Sequence, residues 1–91
     1  MKTISRAVRI MGHVQGVAYR AWTQSRATRE GLTGWVRNEG DGSVSAVFCG
    51  PEDRVEAMIT ACHEGPGAAQ VRDVQVSKAE PPGLDGFEIR R

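Results

Sequence analysis

Between residues 12 and 20 the chain changes its period, and that change limits what it can fold into. Upstream, Ile4, Val8 and Ile10 stand among Arg6, Ala7 and Arg9, the pattern of a strand over roughly residues 3–11 with one half-buried face. Downstream, from about Tyr19 to Glu30, there is neither Pro nor Gly, Ala and Arg are frequent, and Gly31 stands where a left-handed cap would end a helix. The stretch between them, Gly12-His13-Val14-Gln15-Gly16-Val17-Ala18-Tyr19-Arg20, must convert a strand into a helix within a few residues. Strand, glycine loop and helix together open a βαβ unit.

Glycines in such a loop let the main chain turn back and bring several N–H groups to one point. The first N–H groups of the following helix have no internal partner and carry the positive end of its dipole. A phosphate fits that cradle. Arg20 adds a planar, permanently charged fork that grips two oxygens at once. Gln15, Gly16, Val17, Ala18, Tyr19 and Arg20 are therefore the candidate phosphate-binding residues, through the main chain and, at Arg20, the side chain as well.

The first helix has a thin buried row, Tyr19, Thr23 and Ala27 at spacing four, flanked by Trp22 and completed past the cap by Leu32. Thr33-Gly34-Trp35-Val36-Arg37-Asn38 reads as a strand, and Glu39-Gly40-Asp41-Gly42 as a turn in which Asp-Gly tolerates positive φ. From Ser43 to Gly50 the pattern alternates, with Val44, Ala46 and Phe48 on one face. Gly50-Pro51-Glu52-Asp53 opens a second helix with Pro at the first position and acids in the first turn, and Val55, Met58, Ile59 and Cys62 form its core stripe. Gly65-Pro66-Gly67 ends it. Val71, Val74 and Val76 mark a fourth strand, whose change of parity implies a bulge near Arg72-Asp73. After Pro81-Pro82-Gly83, Phe87 and Ile89 make a short closing strand.

The order is β, α, β, β, α, β with a small extra β, and no repeat or linker divides it, so residues 1–91 are expected to form one domain. Two helices on one face of an antiparallel sheet, built from two βαβ halves, is the ferredoxin-like sandwich of the α+β class.

That sandwich hosts enzymes, RNA binders and metal carriers, so the function must come from the site. A net charge of +1 argues against a general nucleic-acid or membrane binder. The charge is uneven, however: residues 1–37 hold seven Lys and Arg against the single acid Glu30, and residues 38–69 hold six acids against the single Arg54. The loop lies in the positive half. Cys49 and Cys62 form neither a Cys-x-x-Cys pair nor a disulfide framework, and are expected to be reduced thiols of a cytoplasmic protein. Met1-Lys2-Thr3-Ile4-Ser5-Arg6 lacks the apolar run of a signal peptide, and no segment approaches membrane-spanning length. His13 and His63 are far apart and no dense ligand motif occurs, so neither metal nor cofactor is expected. A monomer is expected.

The loop matches no common nucleophile or nucleotide motif. Gly-x-x-x-x-Gly-Lys-Ser/Thr is absent, no Cys lies between His13 and Arg20, no Gly-x-Ser-x-Gly occurs, and no pair of acids stands near it. What Gly12-x-Val14-Gln15-Gly16-Val17-x-Tyr19-Arg20 does match, together with Gly31-Leu32-x-Gly34-Trp35-Val36-Arg37-Asn38-x-x-Asp41-Gly42, is the signature of the acylphosphatases. The similarity continues through Gly50-Pro51-Glu52, Gly65-Pro66 and Phe87-x-Ile89, nearly the whole chain. The resemblance implies a small ferredoxin-like hydrolase that splits the carboxyl–phosphate anhydride of acyl phosphates, without metal or covalent intermediate. It also implies that Arg20 is the phosphate-binding arginine and Asn38 the residue that orients the attacking water. His13 stands where the family commonly has Arg, and Tyr19 where it commonly has Phe.

The chemistry is reasonable on its own terms. An acyl phosphate is already activated, so an enzyme need only hold the phosphoryl group, neutralise developing charge and aim a water along the breaking bond. The alternative is a non-catalytic module of the same fold that binds an anion or an acyl or carbamoyl phosphate. An RNA-binding sheet would need stacking aromatics on its open face, whereas the chain has five in all and its middle strand offers Ser43, Ser45, Val47 and Cys49.

Overall fold

The computed structural model describes residues 2–91. Its first strand, β1 (Thr3–His13), runs two residues beyond the apolar pattern, because pairing with the fourth strand carries Gly12 and His13 into the sheet. Close approach of the two main chains makes that extension possible: Gly12 has φ +130°, and a Cβ there would collide with the Gln70 carbonyl. Helix α1 (Tyr19–Arg29), strands β2 (Thr33–Asn38) and β3 (Val44–Pro51), helix α2 (Glu52–Cys62) and strands β4 (Gln70–Lys78) and β5 (Phe87–Arg90) follow. Helix α1 ends as its glycine predicts. Gly31 is left-handed, with its N–H on the Thr28 carbonyl at 3.0 Å and the Leu32 N–H on the Ala27 carbonyl at 2.9 Å, the paired bonds of a Schellman cap.

The sheet order is β4-β1-β3-β2-β5. The first four strands are mutually antiparallel neighbours, as a ferredoxin-like sandwich requires, whereas β5 lies parallel to β2 and makes the sheet mixed. The cause is the route of the chain. Strand β4 ends beside the start of β1, with Lys78 opposite Arg6, and residues 79–86 cross that end of the sheet to the far edge. The Ser5 hydroxyl holds the crossing at the Glu80 carbonyl (3.1 Å), and the Gly34 N–H meets the Gly86 carbonyl (3.1 Å). From there β5 can only run the way β2 runs. As a result β1, β2 and β5 all finish at one end of the sheet, where β3 and β4 begin.

Both helices cover the same face, α1 over β2 and β5, α2 over β1 and β3. Val8, Ile10, Val36, Val44 and Phe48 supply the sheet side of the core, and Tyr19, Ala27, Val55, Met58 and Cys62 the helix side. Phe48 stacks on Phe87 with ring centroids 5.5 Å apart, which ties the closing strand to the centre of the core. Truncating a buried ring of this kind costs about 3–5 kcal/mol. Ile59 is half-buried at the rim of the helix layer and not part of the core stripe. The bulge on β4 is present: Met11 faces Asp73 and Gly12 faces Val71, so Arg72 is the extra residue.

Candidate active site

The loop, residues 14–18, leaves β1 at the end of the sheet where β2 and β5 also finish. Its backbone is set by two left-handed residues. Gly16 has φ +74° with open space where a side chain would stand, so conformation alone asks for glycine. Ala18 has φ +63°, a conformation that costs a non-glycine residue on the order of 1–2 kcal/mol. Ala18 is also the N-cap of α1, and it offers no side-chain cap. The first bond of the helix runs from the Trp22 N–H to the Ala18 carbonyl at 3.0 Å, and among the described residues no main-chain N–H of residues 15–21 donates to a protein oxygen. The first turn carries no acid, while Arg26 and Arg29 occupy the last turn. The positive end of the dipole therefore stays open to an external anion.

Tyr19 locks this turn in place. Its ring is buried edge-on against Trp22 with centroids 5.4 Å apart, and its hydroxyl donates to the Cys62 carbonyl at 2.6 Å, joining the start of α1 to the end of α2. Burial, and then the nearby Cys62, push the Tyr19 phenol above its ordinary range. Burial likewise pushes the Cys62 thiol up to about 12, partly offset by Tyr19 and Arg26. Neither group is a nucleophile or acid at neutral pH.

Opposite the loop stands the β2–β3 hairpin, residues 39–43. Asp41 organises it by accepting from the Ser43 N–H (3.0 Å), the Ser43 hydroxyl (2.6 Å) and Arg9 Nη2 (2.7 Å). These bonds, from Ser43 first and Arg9 after it, lower the Asp41 carboxyl to about 2. The sequence values Gln15 for its main chain, but its side chain makes the more telling contact. The amide Nε2 donates to the Glu39 and Ser43 carbonyls, both at 2.8 Å, and so pins the loop to the hairpin. Asn38, the last residue of β2, has the same parity as Val36 and so lies on the helix face, immediately before the hairpin that Gln15 holds.

Between loop, hairpin and β5 lies a hollow of about 220 Å³, lined by Val14, Gly16, Ala18, Tyr19, Arg20, Ala21, Asn38 and Ile89. Gly16, Ala18, Tyr19, Arg20 and Asn38 thus share one space, while Val17 packs against the core and Gln15 turns to the hairpin. Arg20 has no carboxylate within ion-pair distance among the described residues. Its Nη1 donates to the Arg90 carbonyl of β5 at 3.2 Å, which steadies the guanidinium and leaves its remaining donors for a ligand. His13 is exposed on β1 and does not line the hollow, and His63 caps α2 with Nδ1 3.1 Å from the Ile59 carbonyl. A second, larger hollow of about 580 Å³ lies on the opposite, helix-free face of the sheet, among Ala7, Arg9, Trp35, Arg37, Glu39 and Gln75.

N–H groups at a helix start, an arginine with no acid partner among the described residues and a neutral amide thus meet at one hollow of a ferredoxin-like α+β sandwich. The acylphosphatase family profile matches residues 6–89. An acylphosphatase of Haloarcula marismortui is 56% identical over 81 residues, 89% of each chain. Among solved structures, an acylphosphatase from Coxiella burnetii superposes with a TM-score of 0.93 at 32% identity, over 97% of this chain and 93% of that one. The Bacillus subtilis acylphosphatase gives 0.92 at 30% identity, over 97% and 99%. The chain belongs to the acylphosphatase family.

Proposed function

We propose that the acyl phosphate hydrolysis assigned by membership of this family takes place in the loop hollow, by direct attack of a water, with Arg20 and Asn38 as the catalytic side chains. The main-chain N–H groups of Gln15, Gly16, Val17, Ala18, Tyr19 and Arg20 and the Arg20 guanidinium hold the phosphoryl oxygens and take up the charge that develops on them. Asn38 offers an acceptor and two donors without charge, so it aims a water at phosphorus without repelling the anion. The water oxygen bonds to phosphorus as the bond to the carboxylate oxygen breaks, giving a carboxylate, inorganic phosphate and a proton.

The observation that carries this reading is what lines the hollow. Arg20 and Asn38 are present, but among the described residues no Asp, Glu, Lys, Cys or Ser is, and the Tyr19 hydroxyl is engaged at Cys62. With no acid to protonate a leaving group and no nucleophile, only a substrate whose leaving group departs unprotonated can react. A carboxylate, stable as an anion above about pH 4, meets that condition. An alkoxide does not. The test is turnover of an acyl phosphate beside a phosphate monoester, with and without a chelator. Turnover of the acyl phosphate alone, indifferent to chelator, is expected; hydrolysis of the monoester, or loss of activity in chelator, would overturn the mechanism.

Residues 1–91 act in this reading as a single cytoplasmic domain. Two free thiols support the compartment, and no helix among the described residues is long and apolar enough to cross a membrane. A monomer is supported by the exposed large apolar side chains among the described residues, Val76 and Ile89, which sit on opposite edge strands and make no joint patch. The small molecule is the partner, and not nucleic acid, since the arginines of the open sheet face are paired with acids.

A further inference from the structure

We infer that Ile89 is the contact surface for the acyl group of the substrate and that it biases the enzyme toward apolar acyl groups; the inference rests on the proposed function and names the substrate class of that site. Ile89 is 41% exposed, one of two large apolar side chains so open to solvent among the described residues. The other, Val76, lies on the far edge of the sheet beside Ile4 and Ile59 and has no part in the loop hollow. An isolated exposed aliphatic needs no explanation. Ile89 differs because it lines the same hollow as Arg20 and Asn38.

Its position follows from the parallel register of β5. Ile89 pairs with Val36, which is fully buried, so one side of Ile89 rests on the core face while the other faces the hollow. The next residue, Arg90, supplies the carbonyl that holds Arg20 Nη1 at 3.2 Å. The same strand end thus steadies the anion-binding arginine and presents an aliphatic side chain beside it. The remaining apolar lining cannot play that part. Val14 and Tyr19 are buried, and Ala18 and Ala21 offer a methyl each. A carbon chain extending from a phosphoryl group seated on the loop meets Ile89 as the one large apolar side chain within reach that still has surface to bury.

The experiment measures kcat/KM for benzoyl phosphate, whose acyl group is an apolar ring, and for acetyl phosphate, whose acyl group ends in one methyl. Wild type is compared with Ile89→Ala and Ile89→Thr, with the inhibition constant of inorganic phosphate measured in parallel. Threonine keeps the β-branched shape that suits a strand, so it carries the test if the alanine protein fails to fold. The preference for benzoyl over acetyl phosphate should fall roughly tenfold in either variant, the lower end of what a hydrophobic contact gives, while phosphate inhibits as before. An unchanged preference would overturn the inference. So would a parallel loss on both substrates together with weakened phosphate inhibition, because Ile89 would then act through Arg20. Failure of wild type to hydrolyse either substrate would instead overturn the proposed function, a separate outcome.

Discussion

The hollow beside the loop and the hollow on the open face differ in size and in what lines them. The open-face hollow holds about 580 Å³ and contains two arginines, but each is engaged: Arg9 with Asp41 at 2.7 Å and Arg37 with Glu39 at 2.8 Å. Its tryptophan is engaged too, with Arg37 and Arg90 lying 4.9 and 5.3 Å from the Trp35 ring centroid. The loop hollow holds about 220 Å³, yet among the described residues its arginine has no acid partner and its main-chain donors point at no protein oxygen. Volume measures room. Chemistry follows the donors and charges that the fold leaves without internal partners, and here they gather in the smaller space.

Substitutions on the two faces should separate accordingly. Arg20→Gln removes the charge beside the phosphoryl group, so kcat/KM should drop by about 100- to 1,000-fold and inhibition by phosphate should weaken with it. Arg20→Lys should recover little, since an ammonium does not reproduce a two-pronged grip. Phosphate inhibition of Arg20→Gln at the wild-type concentration would break the comparison. Asn38→Ala removes a contact to the attacking water and not to the phosphate. A fall in kcat of about 100-fold with nearly normal phosphate inhibition is expected, and Asn38→Asp should bind phosphate worse than Asn38→Ala.

Gln15→Ala sharpens the contrast, because it leaves the main-chain N–H of residue 15 in place and removes only the side-chain amide that clamps loop to hairpin. Loss of two neutral hydrogen bonds costs about 1–3 kcal/mol of stability. A decrease in kcat of roughly tenfold is expected from the misplaced Asn38, read with circular dichroism to show that the chain is folded.

Arg37→Ala on the open face should change kcat by less than about twofold, because its exposed ion pair is worth little and touches no reacting group. Asp41 gives the smallest effect and a definite pH window. Its carboxyl is lowered from 3.8 to about 2, so its contribution to stability is complete above pH 4 and is lost as the pH falls through about 2. Asp41→Asn should therefore lose less stability than wild type between pH 4 and pH 2, measured by thermal unfolding.

The sandwich was legible because each element announced itself locally: glycine and proline stand at the boundaries, and apolar residues keep the period of strand or helix within them. Even the bulge at Arg72 follows from the parity of Val71 and Val74. What escaped depends on partners distant in sequence. The extension of β1 to His13 requires β4 alongside it, the parallel course of β5 requires the crossing by residues 79–86, and the rim position of Ile59 requires knowing how α2 is rotated on the sheet. In the site, Gly16 and Arg20 are visible from composition and order alone. The Gln15 clamp is not, since its two acceptors are carbonyls that any residue would supply. Nor is the left-handed Ala18, because alanine gives no signal for positive φ. Ile89 looks in sequence like one more core residue of a short strand, and only its register opposite Val36 at the end of β5 reveals that half of it faces the hollow.

Main-chain NMR on the wild-type protein tests directly whether an anion binds where the main-chain donors are free. In a titration with inorganic phosphate, saturating shifts of the N–H resonances should cluster at residues 15–21 and at Asn38, with the open-face residues Ala7, Trp35 and Gln75 unmoved. Saturating shifts centred on Ala7, Trp35 and Gln75, with the loop unmoved, would put the anion on the open face and overturn the assignment of the loop hollow.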